Sequence, residues 1–350
     1  MSDTELRRRP SPGAPPDDDI MARLEQHRRE LTAYCYRMLG SPFEAEDAVQ
    51  ETLLRAWRSF DTFEERASLR SWLYRIATNV CLDMLSGRER RARPMDLGGP
   101  GTAAGPLGEP MPEVTWLEPV PDAHVLTPVA AGVDAEAGDP ADVAEQRESI
   151  RLAFVAALQH LPAKQRAVLI LREVLRWKAA EVAELLDTTV QSVNSALQRA
   201  RATLEASHLG DDGSGSTEPA TDELDEDQQE LLAKYVRAFE SYDMGALTAL
   251  LREDARWNMP PYALWLQTHR DIVDWCLGPG IGCEGSRLVA VRANGSPAFG
   301  QYKPDPELGG LSPWSVQVLE LDGDRISGIT FFLDTERLFP LFGLPMRFEG

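Results

Sequence analysis

KAAEVAELLDTTVQSVNSALQRARATL, residues 178–204, is the stretch from which the rest of the chain can be read. A short apolar helix, a turn at Asp187-Thr188-Thr189 and a second helix follow one another at helix-turn-helix spacing. In the second helix Val190, Val193, Leu197 and Leu204 fall on the side expected to face inward. The opposite side offers Thr189, Gln191, Ser192, Asn194, Ser195, Gln198 and Arg199. Such hydroxyls, amides and cations reach base edges and phosphates when a helix lies in a major groove. A helical hairpin that only packs on a neighbour would show the same apolar stripe. The turn spacing and the flanking Lys178 and Arg201 favour DNA.

Working outward, 350 residues are more than one hydrophobic core usually organises, so two or three domains are expected. Hydrophobic residues at 43% and charged ones at 26% fit a soluble protein, and no apolar run reaches the length of a membrane span. The N-terminus, MSDTELRRRPSPGAPPDDDI, has no apolar stretch after its arginines, so a secretory signal is not expected and a cytoplasmic location is. Cys35, Cys81, Cys276 and Cys283 form no CxxC pair and show no zinc-ligand spacing, so neither a metal nor a disulfide framework is expected.

The net charge of −20 would argue against nucleic acid, but it is unevenly spread. Residues 1–93 hold 16 basic and 16 acidic side chains, 94–149 hold 1 and 11, 150–208 hold 8 and 5, and 209–350 hold 11 and 24. Residues 94–149, with 9 Pro and 7 Gly, cannot bury enough surface to fold independently and read as an acidic linker. Within it Trp116-Leu117-Glu118-Pro119-Val120-Pro121-Asp122 is an apolar, acidic island, unusual for a passive tether. A second break, polar and acidic, runs from Gly210 to Asp227.

The block at 20–93 reads as a bundle of three or four helices. Leu31, Tyr34, Cys35, Met38 and Leu39 mark one, Val49, Leu53, Trp57 and Phe60 a second, and Leu73, Ile76, Val80 and Met84 a third that ends at Gly87. On the second, Asp47, Gln50, Glu51 and Leu54 face away from the buried stripe and suit a basic partner surface. On the third, Trp72, Arg75 and Asn79 share an exposed face, followed by Arg88, Arg90 and Arg91. An aromatic, a cation and an amide on one face suit unstacked bases. The block at 150–208 is helical, with a break at Leu161-Pro162. The block at 228–350 opens with a helix and then alternates as strands at 255–259, 288–292, 314–321 and 326–333, with a turn at Asp322-Gly323-Asp324.

Together, AEDAVQETLLRAW, SLRSWLYRIATNVCLDMLSGRERR and LPAKQRAVLILREVL followed by the helix-turn-helix resemble regions two and four of the sigma-70 family of RNA polymerase sigma factors, in its extracytoplasmic-function group. The resemblance implies that Asp47, Gln50, Glu51 and Leu54 grip the clamp helices of the polymerase β′ subunit. It implies that the helix with Trp72 and Asn79 opens and reads the minus-ten element, and that region four reads the minus-thirty-five element. It also implies that the linker threads toward the active-site cleft, past the β subunit. Many members carry arginines where this chain has Asn194 and Ala196, so fewer guanine contacts are expected there.

The linker island, the recognition helix and a long C-terminal extension resemble a narrower actinobacterial subgroup, the sigma factor G type. Its extension is similar to the SnoaL or NTF2-like fold, a curved sheet around a conical pocket. Trp257, Met259, the run Asn294-Gly295-Ser296-Pro297-Ala298-Phe299 and the closing strands fit that fold. The expected fold is therefore multidomain, two all-α sigma domains and a C-terminal α+β cone. Related pockets in cyclases and isomerases use a carboxylate or histidine base, for which His269, Asp271 and Asp334 are the candidates here. No motif joins them, so the expectation is a regulatory module acting in cis without catalysis or cofactor, with room for a small apolar ligand. A bifunctional protein with an enzymatic last domain, and a stand-alone helix-turn-helix regulator, are the alternatives.

Overall fold

The structure, a computed structural model, describes residues 18–63, 68–128, 130–131, 139–208, 226–307 and 309–348. The second sequence break at 210–227 lies almost wholly outside them.

Four helices build the first domain: α1 (Asp18–Glu25), α2 (Arg28–Leu39), α3 (Pro42–Arg58) and α4 (Leu69–Leu85). Their ends follow from local chemistry. Gly40 closes α2 in the left-handed region at φ 74°, Ser41 caps α3 by accepting from the Glu44 amide, and Pro42 occupies the first turn. Ser68 caps α4 by accepting from the Ser71 amide.

The linker does not stand apart from this bundle. After two short helices, α5 (Asp122–Val125) and α6 (Pro140–Glu148), the chain enters region four with α7 (Leu152–Gln159), α8 (Ala163–Leu169), α9 (Ala179–Leu185) and α10 (Val190–His208). Leu117, Val120, Val125 and Leu126 share one hydrophobic core with α2–α4 and with α7–α10. A Cβ on Gly40 would lie 2.7 Å from the Leu117 side chain, so the small residue also makes room for the linker. Trp116, Leu117, Val120, Val125 and Leu126 of the segment read as a linker are buried, against neighbours that supply the surface the segment lacks, while Leu97 and Val114 stay exposed. Residues 132–138 lie outside the description.

Regions two and four pack directly. Tyr74 of α4 lies 5.1 Å from Trp177 between ring centroids. Arg37 of α2 donates to the Ser149 carbonyl at 3.0 Å and to its hydroxyl at 2.6 Å, and Arg166 of α8 donates to the Met38 carbonyl.

The last domain starts with α11 (Glu226–Glu240) and α12 (Met244–Ala249) and continues with β1 (Leu251–Asn258), β2 (Trp265–Leu266), α13 (His269–Leu277), β3 (Arg287–Ala293), β4 (Ser296–Pro304), β5 (Leu311–Asp322), β6 (Arg325–Phe332) and α14 (Thr335–Leu341). The strands form one sheet in the order β2-β1-β6-β5-β4-β3, parallel only between β1 and β6. The mixed sheet and its helices make this an α+β domain, the class expected for the C-terminal part. Alternation splits the strand residues between two faces. Trp257, Phe299, Leu319, Ile329 and Phe331 pack inward against Tyr235, Phe239, Ile272 and Trp275 of the helices. Tyr302, Val316, Val318 and Phe332 pack outward against Leu338 and Phe339 of α14, Leu152 of region four and Phe43 of α3. The outer face of the sheet is therefore the seam between the C-terminal domain and the sigma domains. Strand β4 escaped the sequence reading because Pro297, Gly300 and Pro304 break its alternation.

Candidate polymerase and nucleic-acid interfaces

On α3, Asp47, Gln50 and Leu54 are exposed and Glu51 is half-buried, while Ala48, Val49, Thr52 and Leu53 face the core. Glu51 pairs with Arg55 at 2.6 Å, and Gln50 donates to Glu46. The four side chains form one solvent-facing strip. At its N-terminal end Arg337 of α14 stacks on Phe43, with the guanidinium carbon 3.7 Å from the ring centroid.

On α4, Arg75 and Asn79 are exposed. Trp72 is half-buried and sits 5.0 Å from Phe63 and 6.3 Å from Phe60, so it forms part of an aromatic cluster. The arginines after the helix depart from the expectation of a free basic tail. Arg91 is only 6% exposed: it donates to the Trp116 carbonyl at 2.5 Å and pairs with Glu44 at 3.1 Å and Glu118 at 3.4 Å. Arg88 pairs with Glu44 at 2.5 Å, and Arg90 contacts His160. Arg91 is thus the clasp of the linker island, and spacing alone gives no sign that the island would come back to cover it.

On α10, Thr189, Gln191, Ser192, Asn194, Ser195, Gln198 and Arg199 are all exposed, as is Lys178 ahead of α9. Thr189 also caps the helix, accepting from the Ser192 amide at 3.1 Å. Val193 and Leu197 are buried and Leu204 packs against the core, but Val190 is 44% exposed, contrary to the inward place expected for it. It stands in the first turn, before the helix meets its neighbours.

Sequence reasoning did not anticipate the contacts of the β3–β4 turn. Asn294 and Gly295 stand at φ 57° and 67°, as a two-residue hairpin with matched strand twist requires. The Asn294 side chain is wholly buried. Its amide nitrogen donates to the Tyr36 hydroxyl at 2.6 Å and the Ile150 carbonyl at 2.7 Å, and its oxygen accepts from the Val120 amide at 3.0 Å. The Gly295 amide donates to Asp122 at 2.7 Å, and a Cβ there would lie 2.8 Å from the Arg147 carbonyl. Burial raises the Asp122 carboxyl above its usual range, against the Gly295 amide and Arg292, which hold it down. One turn of the C-terminal domain thus touches region two, the linker and the entry to region four.

The three candidate bases stand apart. The His269 ring bonds the Arg252 carbonyl at 2.8 Å, Asp271 accepts from Thr268 within the first turn of α13, and Asp334 precedes α14 beyond the outer face of the sheet. Inside the cone, Tyr235 donates to Gln317, which donates to Gln301, which also accepts from Ser315, so these polar groups satisfy one another. A cavity of about 460 Å³ opens on the opposite side, between the linker (Met111, Trp116, Glu118) and the C-terminal domain (Tyr262, Trp314, Asp334).

The sigma-70 region 2 family model matches residues 24–91 and the sigma-70 region 4 model residues 151–204. The extracytoplasmic-function (ECF) sigma factor SigG of Mycobacterium tuberculosis is 46% identical over 335 residues, which span 93% of this chain and 84% of that relative. The chain belongs to the ECF RNA polymerase sigma factors. Like them, this sigma factor directs promoter-specific transcription initiation. SigW of Bacillus subtilis is 31% identical over 189 residues, 54% of this sigma factor and 88% of SigW. The crystal structure of M. tuberculosis SigJ superimposes with a TM-score of 0.57 at 21% identity, over 93% of this sigma factor and 99% of SigJ, and so shares its fold. No helix among the described residues is long and apolar enough to cross a membrane.

Proposed function

We propose that this sigma factor, acting in the cytoplasm and without catalysis of its own, works through three exposed faces that its C-terminal domain holds in a closed arrangement. Asp47, Gln50, Glu51 and Leu54 grip the β′ clamp helices. Trp72, Arg75 and Asn79 take the minus-ten bases, with Arg88 and Arg90 joining once their internal partners are released. Lys178, Thr189, Gln191, Ser192, Asn194, Ser195, Gln198 and Arg199 read the minus-thirty-five duplex.

Elements so named lie about 25 base pairs apart, roughly 85 Å along B-DNA. Here α4 shares one packed core with α8 and α9. Both elements cannot be engaged until that core parts, so the free chain is the resting form and the polymerase-bound chain an extended one. The observation that carries modulation in cis is the buried Asn294, whose bonds reach Tyr36, Val120 and Ile150 together. Breaking these contacts shifts the balance toward the open form.

The test compares the full chain, Asn294→Ala and a chain ended at His208 in core-polymerase binding and promoter-specific run-off transcription. All three bind, and the two altered chains bind faster or initiate more strongly. Failure of all three to bind polymerase overturns the assignment of faces. Binding and transcription by Asn294→Ala indistinguishable from the full chain overturn the modulation in cis.

A further inference from the structure

The 460 Å³ cavity at the seam falls within the range of small-molecule sites, and its walls are aromatic and aliphatic: Trp116, Tyr262, Trp314, Phe332, Leu333 and Leu338. At one end stand Glu113, Glu118 and Asp334, three carboxyl groups that share the single guanidinium of Arg337. An anion entering there meets like charge. Glu118 is nine-tenths buried at its side chain, and its Oε2, although 3.4 Å from Arg91, has no hydrogen-bond partner. The indole N–H of Trp116 is likewise buried without an acceptor. A buried polar group left unpaired costs about 1–3 kcal/mol: a guest's acceptor atom would satisfy the Trp116 N–H, whereas the Glu118 Oε2 is satisfied by a donor or by its own protonation.

We propose that this seam binds a small, uncharged, planar aromatic molecule carrying a hydrogen-bond acceptor, and that the bound molecule holds the linker down on the sigma domains. The site lies at the seam, outside the cone. Its floor is tied to region two, since the Glu118 amide donates to the Gly40 carbonyl at 3.0 Å and its carbonyl accepts from Tyr36 at 2.8 Å. A ligand that fits only the docked linker stabilises the closed form by mass action. Burial also raises the Glu118 carboxyl to about 7, against Ser41 and Arg91, so near neutral pH only the protonated share of the molecules offers a hydroxyl there, and below that pH most of them do. The effect on transcription rests on the proposed modulation in cis. Binding does not, and is measured separately.

The probe is Nile red, neutral, planar and carrying a carbonyl, titrated into the full chain beside the anionic dye 1-anilinonaphthalene-8-sulfonate. Nile red saturates one site and binds more tightly than the anion. Met111→Trp, which fills the cavity, and Tyr262→Ala, which removes a wall, each weaken it about tenfold or more, with cooperative melting retained in at least one of them. Saturating Nile red also slows core-polymerase association. No saturable binding, equal affinity for the anion, or affinity unchanged in a folded variant of either kind overturns the site. Binding that responds to the variants but leaves polymerase association unchanged keeps the site and removes its link to the closed form.

Discussion

Replacing Asn294 with alanine deletes the side chain that Tyr36, Val120 and Ile150 share, and the cost is dominated by the buried partners left unpaired, about 3 kcal/mol in total. The midpoint of thermal unfolding falls by several degrees, read by calorimetry. Gly295→Ala acts at the same turn by another route, forcing a Cβ into a left-handed residue and onto the Arg147 carbonyl. Glu118 gives a pH signature. Its folded carboxyl is raised to about 7 by burial, against Arg91 and Ser41 and with Asp334 and Glu44 adding to the rise. Between the unfolded value near 4.5 and about 7 the folded chain holds the extra proton, so this contribution is complete at low pH and is lost as pH rises through 7. Melting curves at pH 5 and pH 8 differ less for Glu118→Gln than for the native chain; an unchanged difference contradicts the buried carboxyl. These residues were only partly legible in the sequence. The island's Trp116 and Glu118 drew notice as unusual for a tether, and Asn294-Gly295 as part of a fold. Which groups they meet depends on neighbours from 25 to 258 positions away, and no local pattern encodes that.

Helices α3, α4 and α10 present the exposed strips proposed above as partner faces, and each was readable because a period of 3.6 and a capping serine or threonine fix where a helix starts and which side is wet. Val190 is the exception, since a stripe extended into the first turn overshoots the packed portion. On α4, Asn79→Ala weakens promoter opening and leaves polymerase binding intact, checked by permanganate reactivity of the melted bases beside a binding assay. Equal loss of both would place Asn79 in the polymerase interface instead. On α10, Gln198→Ala or Arg199→Ala lowers affinity for the minus-thirty-five duplex by about 1–3 kcal/mol. Arg199→Ala also lessens the salt dependence if it holds a phosphate. With Asn194 and Ala196 where other members carry arginine, the remaining slope is shallow. Strand β4 was less legible, because two prolines and a glycine conceal its period, and the glycine is needed where Leu344 closes over Gly300.

At the scale of the molecule the sigma domains, the linker and the outer face of the sheet form one body. The acidic charge that argued against nucleic acid resides chiefly in the linker and the last domain. Small-angle scattering therefore finds the free chain compact and Asn294→Ala more extended, whereas identical profiles would mean that the turn does not hold the closed form. That the chain is multidomain, helical first and with a sheet last, was legible from its apolar periodicity and its polar breaks. The docking was not, because composition reports only that a segment lacks a core of its own and is silent on whose core it will join.

The Asn294-Gly295 turn is also late in the order of synthesis. Regions two and four leave the ribosome before the strands that carry the turn have been made, and at ordinary elongation rates that interval is on the order of ten seconds. Every newly made molecule thus passes through a period in which its sigma domains have emerged and the turn that fastens them has not, so transcription from its promoters would track the rate of its own translation as well as its amount.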